Sequence, residues 1–144
     1  MSSQFWIYKF TDGNEDPIAL DKSVVRDLFA PYDHGLPGRT VDADGNLQFW
    51  VRSADGSSAE VTVDEYCVSF DRPILGYDGH TAGVFAIAAE VATTLEAVII
   101  DLSNGRSLCR EEEYKSLPAA MRADALVIPM TGETLQFILT GARR

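Results

Sequence analysis

Metal-binding side chains are scarce in this chain, whose 144 residues include two cysteines and two histidines. His34 and His80 lie far apart, and neither has a His or Glu four residues on, so the helical zinc-protease pattern is missing. Cys67 and Cys109 sit in apolar-leaning segments and read as two buried, reduced thiols, not as part of a zinc set. Asp42-Ala43-Asp44-Gly45-Asn46 imitates the start of a calcium loop. Its glycine stands fourth instead of sixth, however, and no Glu occupies the twelfth position, so a hairpin turn is the better reading. Neither a metal nor a cofactor is expected.

Positive charge is also in short supply: 12 Lys and Arg stand against 22 Asp and Glu, for a formal charge of −10. The one basic cluster is Arg143-Arg144, so nucleic acid, a polyanion, is not an expected partner. No apolar run reaches the roughly 20 residues that a membrane helix needs. Residues 1–4 (Met-Ser-Ser-Gln) lack the basic and apolar parts of a signal peptide. The expectation is a cytoplasmic protein without a membrane partner. With no Ser/Gly/Pro tract and no internal repeat, residues 1–144 read as a single compact domain.

Catalytic motifs are missing as well. Gly76, Gly79 and Gly83 lie between a strand and a helix, but not at dinucleotide or P-loop spacing. There is no G-x-S-x-G elbow. Cys67 and His80 can be drawn as a dyad, yet Cys67 sits within a strand with no visible activating charge. Paired carboxylates mean little in so acidic a chain.

What the chain does have is apolar substance, 46% of its residues. Residues 77–101 carry most of the message. Asp78 is placed to cap a helix whose first turn is Gly79, His80 and Thr81. Val84, Ile87, Ala88, Val91 and Leu95 follow at helical spacing, with Phe85, Ala89 and Ala92 widening the stripe. Only Gly83, Ala86, Glu90, Thr94 and Ala97 fall on the narrow remaining face. The run Ala97-Val98-Ile99-Ile100 then suits a strand covered on both sides.

Before this stretch the chain alternates. Gln4 to Phe10 predicts an interior strand, because Phe5/Ile7 and Trp6/Tyr8/Phe10 are both apolar sets. Asp21 or Ser23 caps a short helix from Lys22 to Ala30, which Pro31 ends. Residues 31–40, with two Pro, two Gly and His34, form a loop. Asp44-Gly45 and Asp55-Gly56 are hairpin-turn dipeptides. Leu47/Phe49/Val51 and Val61/Val63 alternate inward, and the phase switch before Tyr66/Val68/Phe70 needs a bulge or turn at Asp64-Glu65. After Gly105 the chain reads as mostly helical, with 131–140 open between a helix capped by Thr131 and a strand.

The expected fold is α+β. It is a largely antiparallel sheet of about five to six strands, with one long buried helix (about 79–95) and smaller helices packed on it.

Three functional readings follow. The first is a non-enzymatic acidic binding protein, of the inhibitor or immunity type, that neutralises a basic protein partner. Its surface is the outward set Gln48, Trp50, Arg52, Glu60, Thr62 and Asp64, where a Trp amid polar neighbours resembles an interface anchor. If segments after residue 106 cover that face, Trp50 is instead a second-layer core residue. Charge distribution favours the binding reading: residues 1–101 hold 17 acidic and six basic residues, whereas residues 102–144 hold five and six. The second reading is a small enzyme or small-ligand domain with Asp33 and His34 of the loop beside Asp78 and His80 of the helix start. The third is a subunit that self-associates, as a homodimer, through the Trp50 face or the tail.

Overall fold

The computed structural model describes residues 4–34, 46–74, 76 and 83–140. The expected turn at Asp44-Gly45, the cap at Asp78, the helix residues 79–82 and His80 lie outside them. The element order is β1 (Phe5–Tyr8), α1 (Lys22–Phe29), a 3-10 turn (Ala30–Tyr32), β2 (Leu47–Arg52), β3 (Ser58–Val63), β4 (Cys67–Ile74) and α2 (Gly83–Leu95). Then come β5 (Val98–Asp101), β6 (Arg106–Cys109), α3 (Glu111–Tyr114), α4 (Ala119–Arg122), β7 (Leu126–Val127) and α5 (Gly132–Thr140). The class is mixed α and β, as expected, but among the described residues the sheet has seven strands instead of five to six, in the order β2-β3-β4-β1-β5-β6-β7. All pairings are antiparallel except the one between β6 and β7. The extra strand is β7. Two residues cannot display a period, and a parallel edge pairing leaves no turn signature in the sequence.

The long helix also has company of comparable size, since α1 and α5 span eight and nine residues against thirteen in α2. Thr131 settles the reading of 131–140 as a helix. Its Oγ1 accepts from Thr134 N–H at 3.2 Å, as an N-cap does. α1 ends at Phe29 with Ala30 as its C-cap, ahead of Pro31 as expected, and Pro31 lies within the 3-10 turn that follows.

One face of the sheet carries the main core. Leu47, Phe49 and Val51 align across the ladder with Val61 and Val63, then with Phe70 and Val68, Phe5 and Ile7, and Ile99. Val25 and Phe29 of α1 and Val84, Phe85, Ala88 and Val91 of α2 close over them. Phe5 stacks on Phe70 at 4.8 Å and Phe29 on Phe49 at 5.2 Å between ring centroids. The strand β4 runs on through Pro73 to Ile74, past the end expected at Asp71-Arg72-Pro73. A register shift between Ser58 and Glu60 absorbs the extra residue. Proline has no N–H to give the ladder, so a bulge is where a strand tolerates it.

Among its own residues α2 has no acid in its first turn and no base in its last. The sheet supplies both. Asp55, in the β2–β3 turn, accepts from Gly83 N–H through Oδ2 at 2.7 Å. Its Oδ1 is held by the Ser57 hydroxyl at 2.6 Å, and Ser57 Oγ in turn accepts from Val84 N–H at 2.9 Å. Gly83 is needed for this approach, because a Cβ there would collide with the Ser53 side chain. At the far end Lys9 Nζ donates to Leu95 C=O at 2.7 Å. Each charge opposes the helix dipole of its end. The C-terminus closes as a Schellman motif, with Ala97 N–H on Ala92 C=O (2.8 Å) and Glu96 N–H on Thr93 C=O (3.2 Å). Glu96 occupies the left-handed position at φ 55°, where glycine is the usual residue.

Two stability outcomes are expected. Ser57 is fully buried, and Ser57→Ala strands the Val84 N–H, so urea unfolding should show a loss of about 1–3 kcal/mol. Glu96→Gly removes a left-handed strain of roughly 1–2 kcal/mol per residue and loses only an exposed ion pair to Lys9 (3.7 Å) of little worth. The glycine variant should therefore melt at a higher temperature than the parent, and an equal or lower melting point would refute this account.

Candidate functional site

Among the described residues, helices cover the other face of the sheet at one end only. Tyr8, Val98 and Cys109 lie under α3 and α4, where Phe10, Leu117, Tyr114, Met121 and Ala125 form a second, smaller core. Arg110 pins α3 with a two-pronged bond to buried Glu113 (2.8 and 2.6 Å). This is how the segments after residue 106 meet the outer face, and among the described residues they stop short of β2, β3 and β4.

The uncovered part follows the ladder in rows. Trp50 stands opposite Glu60, and Glu60 opposite Asp71. Asp71 Oδ1 accepts from Gln4 Nε2 at 2.7 Å. The next row is Gln48, Thr62, Ser69, Trp6 and Ile100. Arg52 pairs with Ser58 one step away. The two tryptophans are 36% (Trp50) and 37% (Trp6) exposed. Both indoles are therefore partly exposed on this face, whereas Phe5 and Ile7 of the opposite face are fully buried.

Four of the six residues expected on this surface, Gln48, Trp50, Glu60 and Thr62, line one cavity of about 390 Å³ together with Phe49, Val61 and His34. Arg52 and Asp64 are not among its lining residues. Asp64 Oδ1 accepts from Tyr66 and Cys67 N–H (2.9 and 2.7 Å), so it also builds the β3–β4 turn that the phase switch required. The structure thus joins residues from two competing sequence readings. His34 belongs with the Trp50 set, because segment 33–34 seals the outer edge of β2: His34 N–H donates to Trp50 C=O at 2.7 Å, and Asp33 Oδ1 accepts from Trp50 N–H at 3.1 Å. Asp78 and His80, the other half of the second reading, lie outside the described residues.

Sequence reasoning missed Trp6, Asp71 and Gln4. Both alternating sets of β1 are apolar, which hides the fact that Tyr8 is covered and Trp6 is not. The signal available was chemical: Trp carries a polar edge that tolerates water, unlike Phe5 or Ile7.

Neither thiol is activated. Both cysteines are free and buried. Burial first, and then the Asp64 and Asp71 charges, push Cys67 up to about 12, although a hydrogen bond with Tyr8 works the other way. Burial, then the Glu113 charge, pushes Cys109 up to about 11. Tyr8 rises to about 12, chiefly by burial. Among the described residues no group of three or more His, Cys, Asp or Glu side chains is placed to hold a metal ion, and no helix is long and apolar enough to cross a membrane. No family model, curated protein or solved structure matches the chain.

The thiols fix an alkaline signature. Below an ordinary thiol pKa of 9.0 they are protonated folded and unfolded alike, and contribute no pH dependence. Above it the unfolded thiols ionise while the folded ones do not, up to about 11 for Cys109 and about 12 for Cys67. The unfolded state then binds fewer protons, so stability falls as pH rises through that window. Urea unfolding measured across it should show this fall, and Cys67→Ser with Cys109→Ser should reduce it, leaving the part that Tyr8 contributes between pH 10.0 and about 12. A disulfide reagent at mildly alkaline pH should react slowly until denaturant is added.

Proposed function

We propose that this chain is a non-enzymatic binding protein that docks a basic protein partner on the open half of its sheet, in the manner of an inhibitor or immunity protein. The observation that carries the reading is the pair of exposed indoles, Trp50 and Trp6, on a sheet face that the described helices cover only at its other end. Interfaces are anchored by aromatic residues set in a polar surround, and Glu60, Asp71, Gln48 and Thr62 provide that surround here. The net charge of −10 sets the sign of the partner. A strongly negative chain draws a cationic protein in and repels nucleic acid. The surface rides on a rigid element, since β2 and β3 are bonded along their whole length and the turn between them is tied to α2. Little ordering entropy is then lost at docking.

Affinity capture with the tagged chain tests this. A basic protein should be retained at low salt and released as the Debye length shrinks from about 10 Å at 0.1 M to about 3 Å at 1 M. Trp50→Ala or Glu60→Lys should lower the affinity at least tenfold, with circular dichroism and melting unchanged. Retention indifferent to salt and to both variants would refute the proposal. So would sedimentation showing a stable homodimer whose interface protects Trp50 and Trp6 from quenchers, since the face would then serve self-association.

A further inference from the structure

We propose that the cavity beside Trp50 receives a single arginine side chain of the partner; this rests on the docking reading above and names the group that the site recognises. Trp50 and Glu60 are direct cross-strand neighbours. The backbone N–H and C=O of Trp50 turn away from β3, toward Asp33 and His34. The pair is therefore of the non-hydrogen-bonded kind, in which side chains stand closest, with Cβ atoms about 4.5–5.5 Å apart. An indole and a carboxylate rise side by side from the same face. One pair further along, Gln48 and Thr62 add amide and hydroxyl oxygens that accept hydrogen bonds.

Few side chains can contact an indole face, a carboxylate and these oxygens together. A guanidinium lays its flat face on the indole and directs its N–H fork to the carboxylate and the neighbouring oxygens. An ammonium is more strongly hydrated and has no plane to stack, so it gains less from the same walls. An anionic ligand would meet Glu60 in a chain of charge −10. The volume of about 390 Å³ lies near the lower end of the roughly 300–1,000 Å³ seen for small-ligand sites, which suits one long side chain with some water. His34 also lines the cavity, held at the β2 edge by the bond from its N–H to Trp50 C=O.

The test uses the full chain carrying Trp6→Phe. Since the chain has two tryptophans, Trp50 is then the sole indole reporter. Its fluorescence and its indole N–H resonance are followed while N-acetyl-arginine methylamide is added, and then the blocked citrulline and lysine equivalents. Arginine should give a saturable response. Citrulline, which has the same shape without the charge, should bind at least tenfold more weakly, and lysine several-fold more weakly. Glu60→Gln should weaken arginine at least tenfold while leaving the melting curve in place. Equal binding of citrulline and arginine overturns the proposal, and this comparison needs no variant at Glu60. An arginine response untouched by Glu60→Gln overturns it too. The two readings separate cleanly. A salt-sensitive, Trp50-dependent protein capture with a flat arginine titration removes the arginine receptor and keeps the docking face. A saturable arginine response without any captured basic protein keeps the cavity assignment and removes the protein-docking role.

Discussion

The fold depends on how the two ends of α2 are satisfied. A helix that is apolar on most of its circumference packs well, yet among the described residues its first turn holds no acid and its last turn no base. Asp55 and Ser57 accept from its N–H groups at one end and Lys9 donates to a C=O at the other. These residues belong to the sheet, so the bonds that finish the helix also fix its position over the strands. The β2–β3 turn cannot shift without releasing the first turn of α2. Apolar contact alone is non-directional and would allow the helix to slide or rotate. The polar ends remove that freedom.

The sheet has two faces of unequal use. One is filled by α1, α2 and α5 and holds the large buried core. The other is divided: α3 and α4 shield Tyr8, Val98 and Cys109, and Trp50 of β2 and Trp6 of β1 stay partly exposed. The division follows from chain order. The helices that cover the second face come directly after β6 and are only four residues each, too short to reach across β1 to the hairpins. Cys109 falls on the shielded side and Cys67 is buried at the start of β4, whereas Trp50, Glu60, Gln48 and Thr62 line the cavity on the open part.

Much of this was legible in the sequence, and the exceptions have identifiable causes. Alternation in 47–52 and 58–63 gave the correct inward and outward residues, because half-buried strands display their period directly. The helix and the strand at 98–101 were legible for the same reason: each pattern is long or β-branched enough to allow one reading. The seventh strand was hidden because two residues carry no period. The cap of α2 was hidden because Asp55 and Gly83 are far apart in the chain, and an Asp-Gly pair already has a sufficient local explanation as a turn. Glu96 broke the glycine rule for a helix end, so the end had to be inferred from the strand that follows. As for the candidate site, the sequence supplied Trp50, Glu60, Gln48 and Thr62 as one set and placed His34 in another with Asp33, Asp78 and His80, of which the last two lie outside the described residues. Only the pairing of segment 33–34 with the edge of β2 brings His34 to the Trp50 set.

The place of β1 in the sheet has a consequence for how the chain assembles. The first strand made is the fourth in order across the sheet, flanked by β4 and β5. Phe5 must meet both Phe70 and Asp101, so two long loops close before the middle of the sheet exists. The hairpins of β2, β3 and β4 form from neighbours and wait, and β1 then joins them to the β5–β6 half. A chain emerging in order would carry a bare, aromatic-rich strand until its partners appear, which is the interval in which such segments aggregate. Contacts of such separation also slow folding. Pulse-labelled amide exchange during refolding should find residues 5–8 protected after residues 58–63, and the reverse order would exclude this route.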